Sequence, residues 1–352
     1  MNQIKKIKAV GVMSGTSLDG LDIAVCEFWF SKKWNFKILR AETFKYEKNI
    51  LHYLQTAKDL SSSNLIDLNN IYGKYIGKKV KNFLQGEIVD LIASHGHTIF
   101  HRPEKKITFQ LGNGANIANE TGITTISDFR TFDVALGGQG APLVPIGDKL
   151  LFTDYKYCLN LGGFSNISEK NNKKIIAYDI CPVNIVLNYY SQKLGKDFDF
   201  NGEFGKNGKA NKKLIADLDN IDYYKQKSPK SLGREWVEDV FFPIIEKYDL
   251  SYIDKVASIY QHIANQISKN IKSSGKLLIT GGGAKNIFLI DLIKSRLYNI
   301  DIIIPNNKLI DFKEALIFAF LGVLRINNQI NVLSKVTGAK RDSISGNIFF
   351  MP

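Results

Sequence analysis

Apolar residues fall in short blocks at 7–13, 21–30 and 35–44, each bounded by a polar or glycine-containing turn. This spacing predicts three successive strands. Helical periodicity then takes over at 47–60 and 64–84. Short apolar blocks at 90–94, 108–111 and 123–127 predict further strands, and a glycine-rich segment follows at 136–140. The second half repeats the theme. Strands are expected at 157–161, 167–169 and 174–180, with turns at Gly162–Asn166 and at Asn171-Asn172. A helix is expected from about Pro182, since proline suits a first helical turn. Long helical patterns cover 233–248 and 252–273. A buried strand at 276–280 runs into Gly281-Gly282-Gly283, followed by a strand at 300–304 and an apolar helix at 311–327.

Each half thus carries a meander whose first turn holds Gly and Ser or Thr, then helices, then a buried strand ending in small residues. This predicts an α/β protein made of one domain duplicated and diverged, with mixed sheets and a ligand cleft between the copies. The expected division is 1–131, completed by 332–352, and 132–331.

Composition narrows the function class. At 352 residues the chain can hold two cores. No apolar run reaches the roughly 20 residues of a membrane span, and no signal-peptide pattern is present, so a cytoplasmic protein without a membrane partner is expected. Three scattered cysteines fit a reducing compartment. The net charge of +13 comes from lysines spread along the chain; a generic basic surface, with no nucleic-acid partner, is the favoured reading.

The motifs that are missing are informative. There is no Walker A sequence, no complete GxGxxG after a strand and no G-x-S-x-G elbow. His95, His97 and His101 lack a second ligand cluster, so a loop-holding or substrate-contact role is favoured over zinc. What remains are small-residue turns at strand ends. The loop Ser14, Gly15, Thr16, Ser17, Leu18, Asp19, Gly20, Leu21, Asp22 offers backbone amides, hydroxyls and carboxylates, a composition suited to phosphate and Mg²⁺. Two such hairpins and a glycine turn are the parts of an actin-like nucleotide clamp.

The segments GVMSGTSLDGLDIAV, SHGHTIFHRP, DFRTFDVALGGQGAPLVP, NLGGFSNIS, TGGGAKN and EALIFAF occur here in order. In them the chain resembles the anhydro-N-acetylmuramic acid kinases of the sugar kinase/actin-like (ribonuclease-H-like) superfamily. The resemblance implies an ATP-dependent enzyme. Water opens the 1,6-anhydro bridge of 1,6-anhydro-N-acetylmuramic acid at C1 and O6 receives the γ-phosphoryl group, giving N-acetylmuramic acid 6-phosphate and ADP in peptidoglycan recycling. It further implies Asp179 as catalytic base and Ser14, Thr98, Arg130 and Glu314 as sugar-binding residues, with Gln139 a weaker candidate. Gly15–Asp22 with Gly162, Gly163, Ser165 and Asn166 would hold ATP phosphates, and Gly281, Gly282 and Gly283 the adenosine. Asp19 would meet Mg²⁺ through water. A homodimer is also implied.

From spacing alone Asp179 reads first as a helix-capping aspartate, in a place where the nearby helix N-terminus would favour its ionised form, and Glu314 equally as a helix-start residue. Arg130 could simply pair with Asp128 or Asp133. The family pattern near the base is about D-T-G-P-G-N, whereas Asp179-Ile180-Cys181-Pro182-Val183-Asn184 stands here, both glycines replaced. The readings that compete are a sugar or acyl kinase of the same superfamily without ring opening, and a non-catalytic ATP-binding module.

Overall fold

The computed structural model describes residues 5–171, 174–228 and 230–352, so Asn172 of the expected Asn171-Asn172 turn lies outside the described residues. The chain divides into two units, one of 1–151 with 312–352 and one of 152–311. Residues 132–151 and 312–331, assigned from sequence to the second half, therefore belong to the first unit.

In the first unit, β1 (Lys6–Ser14), β2 (Leu21–Phe30) and β3 (Trp34–Phe44) form an antiparallel meander. β4 (Leu91–Arg102) then lies parallel to β1, β5 (Ile107–Leu111) folds back on β4, and β6 (Thr125–Ser127) is parallel to β4 on its other edge. The C-terminal strand Asn347–Phe349 pairs with β6. Alternation in β1 and β2 splits the core between two faces. Val10, Val12, Ile23 and Val25 pack with Tyr72 and Ile76 of the helix Ser62–Leu84. The opposite face meets the helix Asn307–Ile326, where Phe28 and Phe320 lie 5.4 Å apart. That helix approaches so closely that a Cβ on Gly11 would stand 1.8 Å from the Ala315 carbonyl oxygen.

In the second unit, β7 (Tyr157–Leu161), β8 (Phe164–Asn171) and β9 (Lys174–Pro182) repeat the meander. β10 (Gly275–Thr280) is parallel to β7, and β11 (Ile300–Ile303) to β10. The orders β3-β2-β1-β4-β6 and β9-β8-β7-β10-β11 match strand for strand. The expected duplication is visible in the topology. Leu159, Ile167, Leu277 and Ile279 pack with Val256, Ile259, Ile263 and Ile267 of the helix Tyr252–Asn270.

Four local expectations are corrected. β4 continues through His95-Gly96-His97 because β5 pairs with its second half, extending the ladder; Gly96 supplies the left-handed turn in it, with φ +75°. Pro182 ends β9, and the next helix starts at Asn184. The pattern at 233–248 breaks into Arg234–Trp236, a wide π turn at Val237–Phe241 and Phe242–Glu246, because Pro243 cannot donate to the preceding turn. The apolar helix begins at Asn307 rather than 311, with a break at Phe312 (φ −114°, ψ 17°) where the chain re-enters the first unit.

Candidate active site

The β1–β2 turn of the first unit owes its shape to Leu18. This residue takes a left-handed φ of 61°, and its side chain packs on the core under the hairpin. Thr16, Ser17 and Asp19 are turned to the outside and exposed. The Leu18 amide closes the turn by donating to the Gly15 carbonyl (3.3 Å).

Ser14 sits beneath this loop, 1% exposed. Its hydroxyl meets Tyr46 Oη at 2.7 Å, Tyr72 Oη at 2.9 Å and His97 Nδ1 at 3.0 Å. A hydroxyl has one donor and two acceptor positions, so these three partners satisfy it. Ser14 thus braces the loop from below. Burial lowers the His97 pKa to about 4, so the ring is neutral. Tyr46 and Tyr72 were not candidates from sequence; Tyr72 lies on the apolar face of the helix Ser62–Leu84, which marks core residues equally, and Tyr46 precedes a helix.

Arg130 follows β6. Its Nε donates to His95 Nε2 at 2.9 Å and its Nη1 to the Gly140 carbonyl at 2.5 Å. The hydrogen bond from Arg130 fixes His95 as the tautomer protonated on Nδ1. Burial, opposed by Glu314 and Asp133, brings the Arg130 pKa down to about 10, so the guanidinium stays charged. The simple pairing with Asp128 or Asp133 is not what holds it. Asp128 accepts from the Thr131 amide, and Asp133 accepts from the Gly140 amide and the Thr337 hydroxyl. Arg130 and the glycine-rich segment 136–140 are therefore tied into one piece.

Glu314 lies two residues past the break at Phe312, so it opens the second stretch of its helix. Its surface is exposed, yet the surrounding protein raises its carboxyl pKa, with Arg130 and then Lys313 acting in the opposite sense. Its neighbour Lys313 is buried in an ion pair with Asp148 (2.7 Å). Thr98 is half-buried on β4, opposite Gln110 of β5. Arg130, Glu314 and Asp133 form one electrostatic group.

In the second unit, Asp179 sits on β9 opposite Asn166 of β8. The register slips by one between Ser165 and Asn166, leaving Ile180 as an extra residue. Such a bulge re-aims the strand locally. The backbone around Asp179 is fully committed: its amide donates to the Lys230 carbonyl (3.2 Å) and its carbonyl accepts from Tyr223 Oη (2.7 Å). One carboxylate oxygen accepts from the Leu232 amide at 2.9 Å. Burial raises the Asp179 pKa to about 6, the Leu232 bond opposing it. A helix N-terminus does not hold this carboxylate ionised. The helix begins five residues later, and its first amides are used elsewhere.

Those amides go to the glycine turn. Val183 and Ile185 donate to the Gly163 carbonyl, and Asn184 to the Gly162 carbonyl. This ties the turn Gly162-Gly163 to the segment after Asp179. Gly163 is exposed and Asn166 half-buried, but Ser165 is buried, bonded through its hydroxyl to the Cys181 backbone. The phosphate contact expected of the Ser165 side chain is not available in this arrangement; Ser165 locks the bulge instead. Cys181 and Val183, which stand where the family pattern has glycines, are both fully buried and carry negative φ. Their side chains fill core space without backbone strain. Burial also pushes the Cys181 thiol up to about 12, so it is no nucleophile.

The Gly281-Gly282-Gly283 turn packs on the end of β7. A Cβ on Gly281 would fall 2.6 Å from Asn160 Oδ1, and one on Gly283 2.8 Å from Leu161 Cβ. At Gly282 the nearest atom would be 3.8 Å away, so this residue faces open space. Asn286 caps the following helix through the Leu289 amide and donates to Tyr260 Oη, which donates to Asp199. This brace beside the turn was not legible in sequence, because its members are spread over 199–286.

No group of three or more His, Cys, Asp or Glu side chains that could hold a metal ion occurs among the described residues. No helix among them is long and apolar enough to cross a membrane.

A family model described as anhydro-N-acetylmuramic acid kinase matches residues 7–351. Curated proteins of that name from Clostridioides difficile (strain 630), Sulfurimonas denitrificans and Francisella tularensis subsp. novicida are 36%, 32% and 34% identical. Each covers 97% of this chain, which in turn spans 97%, 98% and 98% of theirs. Among solved structures, the activator of a 2-hydroxyisocaproyl-CoA dehydratase aligns over 92% of this chain and 97% of its own. Its TM-score of 0.43 and identity of 14% are too low to add to the family match. With a match over nearly its whole length and relatives above 30% identity, the chain belongs to the anhydro-N-acetylmuramic acid kinase family and is an ATP-dependent kinase.

Proposed function

We propose that this kinase acts on 1,6-anhydro-N-acetylmuramic acid, with Asp179 as the base that activates the ring-opening water. Water attacks C1 and gives up a proton to the Asp179 carboxylate. The C1–O6 bond breaks, and O6 takes the γ-phosphoryl group of ATP. The products are N-acetylmuramic acid 6-phosphate and ADP, a step of peptidoglycan recycling. The observation that carries this reading is the Asp179 carboxyl, held by the Leu232 amide with its pKa raised to about 6. A base is most effective when its pKa lies near the working pH.

On the same reading the exposed loop around Asp19 meets the terminal phosphates, with backbone amides of Gly15–Asp22 other than that of Leu18, which closes the turn, as donors. Gly162, Gly163 and Asn166 provide a second phosphate contact, and the open Gly282 a surface for the adenosine. The exposed Thr16, Ser17 and Asp19 suit a hydrated Mg²⁺, which keeps several waters and often takes one carboxylate. When bound, Mg²⁺ neutralises charge on the phosphates. Arg130, held charged in a fixed orientation by His95, suits the sugar's carboxylate. Thr98 and Glu314 complete the sugar contacts.

The test is product formation from the anhydrosugar, ATP and Mg²⁺. One phosphosugar per ADP is expected; ADP release without phosphosugar would contradict the reading. Arg130→Ala should weaken transition-state binding by about 10- to 100-fold in kcat/KM, the worth of a charge-assisted hydrogen bond. His95→Ala should give part of that loss through KM, since it frees Arg130 to rotate. Unchanged kinetics in Arg130→Ala would remove it from the sugar site.

A further inference from the structure

A cavity of about 600 Å³ opens on the second unit beside the edge strand β9. Lys225, Lys227, Lys230, Lys269 and Lys272 line it, with Asp219 as the only carboxylate among the lining residues. Asp219 is already engaged, accepting from His262 (2.6 Å), Gln266 (2.8 Å), Asn265 (3.0 Å) and Lys269 (3.2 Å). Lys225 pairs at the surface with Asp222. Lys227 and Lys272 are exposed and make no ion pair among the described residues. The positive charge of the lining is therefore only partly compensated. Hydrogen-bonding side chains such as Asn220 and Asn270, and the rings of Tyr178 and Tyr224, complete the wall. A volume of this size suits a small metabolite.

One wall is also the support of Asp179. Lys230 lines the cavity through its side chain, which donates to the Tyr223 carbonyl (3.1 Å), while its own carbonyl accepts from the Asp179 amide. Two residues on, Leu232 donates to the Asp179 carboxylate. Tyr223, at the other end of the Lys230 ammonium bond, donates to the Asp179 carbonyl.

We propose that this cavity is a second anion site, for a small phosphomonoester, whose occupation alters turnover by drawing on Lys230 and thereby on the backbone that holds Asp179. Phosphate is the matching chemistry because five lysines line a space too small for a polymer, and Lys227 and Lys272 among them make no ion pair among the described residues. Ammonium groups suit phosphate as mobile point charges. The effect on turnover rests on Asp179 being the base; the binding does not.

The experiment uses the full chain with its nucleotide site saturated by a non-hydrolysable ATP analogue. Glucose 6-phosphate is the probe, with glucose and inorganic phosphate for comparison, and calorimetry reads the binding. Wild type should bind one equivalent of glucose 6-phosphate and no glucose. Inorganic phosphate binding with equal affinity would assign the site to free phosphate. Lys227→Glu/Lys272→Glu should weaken probe binding at least tenfold while leaving kcat without probe unchanged. Lys227→Gln/Lys272→Gln should fall between the two and guards against a folding defect. No binding by wild type at millimolar probe, or equal binding by the Glu variant, overturns the site. With both substrates saturating, the probe should change wild-type kcat at least twofold and leave the Glu variant unaffected. Binding with an unchanged kcat overturns the coupling to Asp179. Full turnover in Asp179→Asn would instead remove the base assignment and leave the binding result standing.

Discussion

Asp179→Asn should lower kcat by about 10²- to 10⁴-fold, the usual contribution of a positioned general base. Asn keeps an oxygen that can accept from the Leu232 amide, so the loop should stay in place. What is lost is the ability to take a proton. Stability should move the other way. Asp179 has a folded-state pKa of about 6, raised from 3.8 by burial. A raised carboxyl binds its proton more tightly in the folded than in the unfolded state. Its contribution to stability is therefore best below pH 4 and is lost as pH rises through about 6. Above that, the buried charge costs on the order of 1–3 kcal/mol. The Asn variant should be as stable as wild type at pH 5 and no less stable, or more so, at pH 8. In wild type, kcat/KM should fall tenfold per pH unit below about 6, and this limb should vanish in the residual activity of the variant. A variant that is both inactive and strongly destabilised at pH 8 would mark Asp179 as a structural residue.

Gly11→Val should strongly destabilise the first unit. Any side chain at 11 starts with a Cβ at 1.8 Å from the Ala315 carbonyl oxygen and 3.0 Å from the Ala319 amide nitrogen, both backbone atoms of the helix. Backbone cannot step aside as a flexible side chain can. The helix must lift from β1 and β4, giving up the packing of Phe320 on Phe28 and of Gly322 on Ala93. Overpacking of this kind typically costs about 1–3 kcal/mol and more where backbone must move, against a total stability of about 5–15 kcal/mol. Thermal unfolding should drop by more than about 5 °C, or soluble protein should be lost. Gly322→Ala, which meets the Ala93 side chain at 2.7 Å, should cost less. An unperturbed melting curve for Gly11→Val would contradict the packing described here.

Much of this architecture is legible in the chain. The two meanders are written in apolar alternation, and the topological repeat follows from them because antiparallel hairpins need only short turns. The parallel partners β4 and β10 show as buried blocks. What the pattern does not carry is anything set by distant pairing. β4 runs on through Gly96 only because β5 comes back to it. The helix at Asn307–Ile326 breaks at Phe312, where nothing in its composition signals a stop. Residues 132–151 join the first unit by tertiary contacts, which local periodicity does not record.

The site divides the same way. Turn composition picked out the loops at Asp19, Gly163 and Gly282, whose exposed surfaces remain suited to a ligand. It did not separate hydroxyls that face outward from those that brace the loop from below. Ser14 and Ser165 belong to the second kind, and only their buried partners Tyr72 and Cys181 reveal it. The raised pKa of Asp179 is likewise a consequence of burial, and the bonds that hold the residue come from as far along the chain as Tyr223 and Leu232.

The central claim is that water, activated by Asp179, enters at C1 while O6 keeps the sugar's own oxygen and takes the phosphoryl group. Running the reaction with ATP and the anhydrosugar in ¹⁸O-labelled water, and locating the label in the phosphosugar by mass spectrometry before anomeric exchange, tests this directly. One ¹⁸O at C1 and none in the phosphoryl group is the expected result. A phosphorylated sugar with its anhydro bridge intact, or label found in the phosphoryl group alone, would contradict the account.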